Sequence, residues 1–151
     1  MDRRRLHIVS IVIALIVVFS SCTKSAVDTR RLGGKKWMVT QLDLGTNSNS
    51  LLPTWVLEES VDDDVFTKGT WIHDDDSQAI FKWRFNYFEG TFSLLINENI
   101  EQDQDTKAFQ QCSNLSGDYM IITDKKKSFE FESVETDGYA AIPVFIQLQP
   151  I

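Results

Sequence analysis

Two cysteines, Cys22 and Cys112, and two histidines, His7 and His73, bound the side-chain chemistry open to this 151-residue chain. Cys22 closes an apolar run in "IVVFSSCTKS", so the pair does not make a disulfide framework. Cys112 has neither a second thiol nor a histidine near it in sequence, which predicts a buried, inert residue. His73 begins "HDDDS", and an imidazole beside Asp74, Asp75 and Asp76 could hold a metal or act as a base. Its position at a strand end beside a turn predicts exposure instead. The run Asp62 to Asp64 lacks the alternating acids and glycine of a calcium loop, so both acidic runs read as solvated turns. No nucleophile elbow, phosphate-cradling glycine loop or paired-histidine motif is present. The sequence therefore predicts a protein that is not an enzyme, with no catalytic residue, metal site or cofactor.

The remaining candidates are aromatic. Phe81, Trp83, Phe85 and Tyr87 recur at spacing two and share one face of a strand, with Trp71 on the strand before. These five residues are the candidate ligand-binding set. They either fill a core or line an apolar cup, and a domain this small needs most of its aromatics for packing.

Positioning these side chains falls to a short domain behind a distinct amino terminus. Arg3, Arg4 and Arg5 precede an apolar stretch from Leu6 to Phe19 broken only by His7 and Ser10, and two serines follow. That is the layout of a secretory signal peptide, with an apolar run short of the ~20 residues of a membrane span. The stretch Phe19-Ser20-Ser21-Cys22 resembles the lipobox of bacterial lipoproteins, with Phe where Leu is usual. The resemblance implies cleavage before Cys22 and acylation of its thiol, and several acyl chains give stable anchoring at about 0.8 kcal/mol per buried methylene. The expected organisation is a signal peptide over 1–21, a lipidated tether over 22–31 and a folded domain over 32–151. The mature chain would carry 12 basic and 21 acidic residues, a net charge of −9. An acidic body of this kind repels phosphate backbones, which excludes nucleic acid as a partner. The tether lacks the acidic run that directs some lipoproteins to the cell surface, so the expected address is the outer membrane, facing the periplasm.

Strand patterns dominate from Lys36 onward. "KKWMVTQLDLG" alternates, placing Trp37, Val39 and Gln41 on one side and Met38, Thr40, Leu42 and Leu44 on the other. Pro53 in "LLPTWVLEES" predicts a helical turn opening at Thr54 or an irregular cover. "KGTWIH" and "QAIFKWRFNYF" flank the hairpin break "DDDS", and "TFSLLIN" follows a second break at Glu89-Gly90. Residues 98 to 117 read as a long polar loop with one helical turn. "DYMIITD" and "SFEFESV" join through Lys125, Lys126 and Lys127, with Phe129 and Phe131 inward and Glu130 and Glu132 outward. "AAIPVFIQLQ" closes the chain. Seven or eight antiparallel strands predict an all-β fold: a small up-and-down β-barrel, or alternatively a small β-sandwich.

The opening "LGGKKW" resembles the start of small lipocalin-like lipoproteins, through Leu32, Gly33, Gly34 and Trp37. The resemblance implies a lipocalin-like barrel whose first strand begins here, with Trp37 plugging its base. No basic residue follows Lys127, so the late arginine that lipocalins set against this Trp has no counterpart. Two functions fit a lipid-anchored envelope protein of this shape. The sequence favours an adaptor or accessory subunit docking on an envelope protein complex through the loops at 45–64 and 98–117. The alternative is a binder or carrier of a small hydrophobic molecule.

Overall fold

The computed structural model describes residues 32–44, 52–60, 65–86, 89–125, 127–139 and 141–151. Cys22, Tyr87, the signal peptide, the tether and Asp62 to Asp64 lie outside the described residues. The strands are β1 (Lys35–Asp43), β2 (Thr54–Leu57), β3 (Thr67–Ile72), β4 (Gln78–Asn86), β5 (Thr91–Ile96), β6 (Gly117–Lys125), β7 (Ser128–Thr136) and β8 (Phe145–Pro150). A helix, α1 (Lys107–Asn114), stands between β5 and β6.

Each strand pairs antiparallel with its neighbour in sequence, and β1 pairs with β8 to close the barrel. This is the closed up-and-down topology of lipocalins, and it sets aside the sandwich. Closure also leaves no free sheet edge. The register defines two ends. The lower end holds the start of β1, the β4–β5 and β6–β7 connections and the last residues of β8. The upper end holds the β3–β4 turn, α1 and the β7–β8 connection.

Period-two alternation explains most of the inside. Along β4, Ala79, Phe81, Trp83 and Phe85 are buried while their neighbours are more accessible. Phe129 and Phe131 point inward from β7, and Glu132 is exposed. Strand β1 departs from simple alternation. The pairing with β8 shifts register between Val39 and Gln41, so Trp37, Val39 and Leu42 are all buried and Gln41 is not. A bulge adds one residue to the strand and returns Leu42 to the core.

Two other expectations are corrected. Thr54 opens the strand β2, not a helical turn, because Pro53 stands just before the strand, where a missing N–H costs no ladder bond. The segment from 45 to 64 is therefore interrupted by a sheet strand. The 98–117 segment carries eight helical residues, capped by Thr106 accepting a hydrogen bond from Phe109 N–H at 3.3 Å.

The lower end closes around Trp37, whose indole N–H donates to the Leu32 carbonyl at 2.9 Å and whose ring meets Phe129 edge-on at 5.3 Å. Gly34 holds a φ of +68°, a turn that swings the chain into β1. Gly33 lies against the backbone of Glu58 and Ser60, where a Cβ would sit 3.0 Å from both the carbonyl oxygen and the amide nitrogen.

Candidate functional site

The four described candidate residues, Trp71, Phe81, Trp83 and Phe85, converge on the barrel interior. Trp71, Phe81 and Trp83 are fully buried and Phe85 is 1% exposed. Strand pairing sets Trp37, Trp55 and Trp71 side by side on β1, β2 and β3. Trp55, absent from the sequence-based set, is the centre of the array. Its ring lies 5.1 Å from Trp71, 5.8 Å from Phe81 and 6.3 Å from Phe92. Phe92 extends the array to Trp83 at 6.2 Å and to Phe131 at 4.7 Å. Such ring pairs add about 0.5–1.5 kcal/mol each beyond the area they bury.

Each indole carries one N–H, and a buried donor needs an acceptor. Trp37 donates to Leu32, Trp71 to Gln111 Oε1 at 3.1 Å and Trp83 to the Lys68 carbonyl at 3.2 Å. Trp55 Nε1 is buried with no hydrogen-bond partner. An unmatched donor of this kind costs about 1–3 kcal/mol. No sequence pattern distinguishes Trp55 from the other three, because the difference lies in what stands opposite its N–H.

The upper end is covered by α1. Ala108 and Cys112 on the helix, with Leu115 just after it, are buried against the core. Polar bonds anchor this cover. Ser77 Oγ accepts from Ala108 N–H at 3.2 Å, Trp71 donates to Gln111, and Tyr119 Oη donates to the Leu115 carbonyl at 2.5 Å. Burial pushes the Cys112 thiol and the Tyr119 phenol far up from their ordinary values. Both are neutral, and the burial of Cys112 matches the sequence expectation. Beside α1, a cleft of ≈ 260 Å³ is lined by Leu44, His73, Gln111, Leu115 and Tyr139, among others.

His73 differs from expectation: it is only 7% exposed, and it lines the cleft beside α1. Its Nδ1 lies 2.5 Å from Asp74 Oδ1 and 3.1 Å from Asp75 Oδ1. Asp75 accepts from the Ser77 hydroxyl at 2.5 Å and from its N–H at 3.0 Å. Those Ser77 bonds, and then His73, hold the Asp75 carboxyl below its ordinary value. The Asp75 bonds are those of a tight turn stabilised by its own side chain. Exposed Asp76 takes the left-handed conformation at φ 63° that completes the turn.

No family model matches the sequence, and no curated protein matches it. Among solved structures, the chain is similar to Japanin from Rhipicephalus appendiculatus, in an orthorhombic crystal form bound to cholesterol. The likeness has 8% sequence identity and a TM-score of 0.46, and it covers 84% of this chain and 78% of that one.

Proposed function

We propose that the chain is a non-catalytic binding protein, anchored by lipid at Cys22, whose barrel takes a small hydrophobic molecule bearing one hydrogen-bond acceptor. The observation that carries this reading is the partnerless N–H of Trp55 inside an otherwise aromatic and aliphatic interior. A carbonyl, hydroxyl or carboxylate oxygen on an apolar ligand would supply the acceptor, while Trp71, Phe81, Trp83 and Phe85 would contact its hydrocarbon. The rings now touch one another, so a ligand would enter by displacing α1, whose buried side chains Ala108 and Cys112 are small. The anchor would place this binding barrel at a membrane that supplies such molecules, on the periplasmic face of the outer membrane.

Purification in mild detergent followed by native mass spectrometry tests the reading. The expected result is a monomer retaining one hydrophobic molecule, which Trp55→Phe loses while staying folded. A monomer with no bound molecule would refute it. Replacement of Cys22 by Ala should abolish acylation and release the protein from the membrane fraction; acylation that persists would remove the anchor.

The adaptor reading comes second, and one observation favours it. Met120, Ile122 and Val134 present apolar side chains on the outer face of β6 and β7 at 44%, 53% and 62% exposure. A protein that co-purifies in stoichiometric amount, and is lost on Ile122→Glu, would support this alternative.

A further inference from the structure

Charge is distributed unevenly along the barrel. Among the described residues, the upper end carries Asp43, Asp74 to Asp76, the four acids between Glu98 and Asp105, Asp118, Glu135 and Asp137 against the ammonium groups of Lys107 and of Lys82, which lines a cleft with Glu98 and Asp137. The lower end differs from one side to the other. Glu58 and Glu59 follow β2 and Glu89 lies in the β4–β5 turn, offset there by Lys68, 3.3 Å from Glu58, and by Arg84 near the end of β4. The arc formed by β6, β7, β8 and β1 instead ends in exposed Lys35, Lys36, Lys125 and Lys127. Asp124 and Glu130 also stand on this arc, and Glu130 is tied to Thr123 at 2.6 Å and to Gln147 at 2.9 Å.

The lysines form one patch. Ile151 N–H donates to the Lys36 carbonyl at 3.1 Å, and Leu148 of β8 is paired with Phe129 of β7. Lys36 and Lys127 are thus separated by β8, two strand spacings or about 10 Å. Ile151 adds an apolar side chain, 71% exposed, beside Lys36. The chain also joins the barrel here, since Leu32 to Gly34 lead into β1, and the two residues before Leu32 in sequence are both arginine. Ten residues separate the start of the mature chain at Cys22 from Leu32, a reach of at most about 35 Å.

We propose that the β6–β7–β8–β1 arc of the lower end is a docking face for an anionic lipid bilayer. The inference rests on lipid attachment at Cys22, which would hold the barrel near the surface without fixing its orientation. Lysines close to an anionic surface are each attracted, and the effect fades within a Debye length of ~10 Å at 0.1 M salt. The acidic upper end is repelled by the same surface. Attraction at one end and repulsion at the other orient the barrel, tilted onto its lysine side, with α1 and the cleft beside it facing water. Ile151 would sit at the headgroup level.

The test uses the full chain, processed and lipidated, in vesicles of phosphatidylcholine with or without phosphatidylglycerol. A fluorophore at Gln149→Cys reports the lower arc and one at Gln104→Cys reports the upper end, each read by energy transfer to a headgroup acceptor. Docking predicts severalfold stronger transfer from position 149 than from 104 on phosphatidylglycerol vesicles, lost at high salt. The triple change Lys36→Glu, Lys125→Glu, Lys127→Glu should lower the docking constant on the order of a hundredfold while the protein stays on the vesicles. Equal transfer from both positions, or transfer indifferent to phosphatidylglycerol and to charge reversal, would overturn the proposal. A chain held only by phosphatidylglycerol vesicles, through these lysines, would support docking and remove the anchor. A chain bound by neither vesicle would overturn both.

Discussion

Replacing Gly69 with Ala sets two opposed effects against each other. Gly69 lies opposite Phe81 on the neighbouring strand, and the phenyl ring covers its Cα. An added Cβ would fall 2.4 Å from Phe81 Cζ and 2.8 Å from Cε1, well inside van der Waals contact. The ring is fully buried between Trp55 and Trp71, with centroids at 5.8 and 6.3 Å, so it moves only if they move. Overpacking of this kind costs about 1–3 kcal/mol. Against it, Ala in place of Gly in a strand gains roughly 0.5–1 kcal/mol of backbone entropy. The steric effect wins, for a net loss of about 1–2 kcal/mol. Urea unfolding followed by tryptophan fluorescence should show the midpoint falling by about 0.5–1 M at a slope near 2 kcal/mol per M. Adding Phe81→Leu should recover part of the loss, giving a coupling energy of opposite sign. A Gly69→Ala protein as stable as the parent would refute the jammed interior, and with it the requirement that α1 move to admit a ligand.

Three further outcomes follow from local geometry. Thr106→Ala removes the cap of α1 and should cost about 1 kcal/mol, seen as faster amide exchange confined to α1 and its neighbours. Cys112 should stay unreactive toward a thiol reagent in the folded protein and react in stoichiometric amount once unfolded in urea, since burial raises its thiol. Hydrogen bonds from Thr123 and then Gln147 depress the folded-state pKa of Glu130. Its contribution to stability is therefore full above the unfolded value near 4.3 and is lost as pH falls through the lower folded value. Thr123→Val should lower the plateau near neutrality and leave the acid end unchanged, so that the acid limb of a stability–pH profile flattens.

Much of the barrel was legible because side chains alternate with period two wherever one face meets a core. Phe81, Trp83 and Phe85, and likewise Phe129 and Phe131, declared their inward faces directly. The bulge in β1 was not legible, because skipping Gln41 leaves Leu42 looking like a member of the outer face. Strand β2 hid behind Pro53, whose constraint ends with the residue before the ladder begins. Helix α1 was understated because it buries small residues, Ala108 and Cys112, which leave a weak apolar stripe. His73 was misplaced because a residue beside a polar turn reads as exposed, whereas here it lines a cleft shared with a helix more than thirty residues later in sequence. Within the candidate site, the aromatic set was readable from spacing, yet Trp55 was missed. Its distinction is an unmatched N–H, which depends on the whole interior.

The central claim is that the Trp55 N–H awaits a ligand oxygen, and indole ¹⁵N–¹H correlation spectra test it most directly. Protein purified with its hydrophobe retained should show a Trp55 signal at the position of a hydrogen-bonded indole. Extraction of the hydrophobe should shift that signal to the position of a free N–H, while those of Trp37 and Trp83 stay in place. A Trp55 signal that is the same before and after extraction would contradict the account.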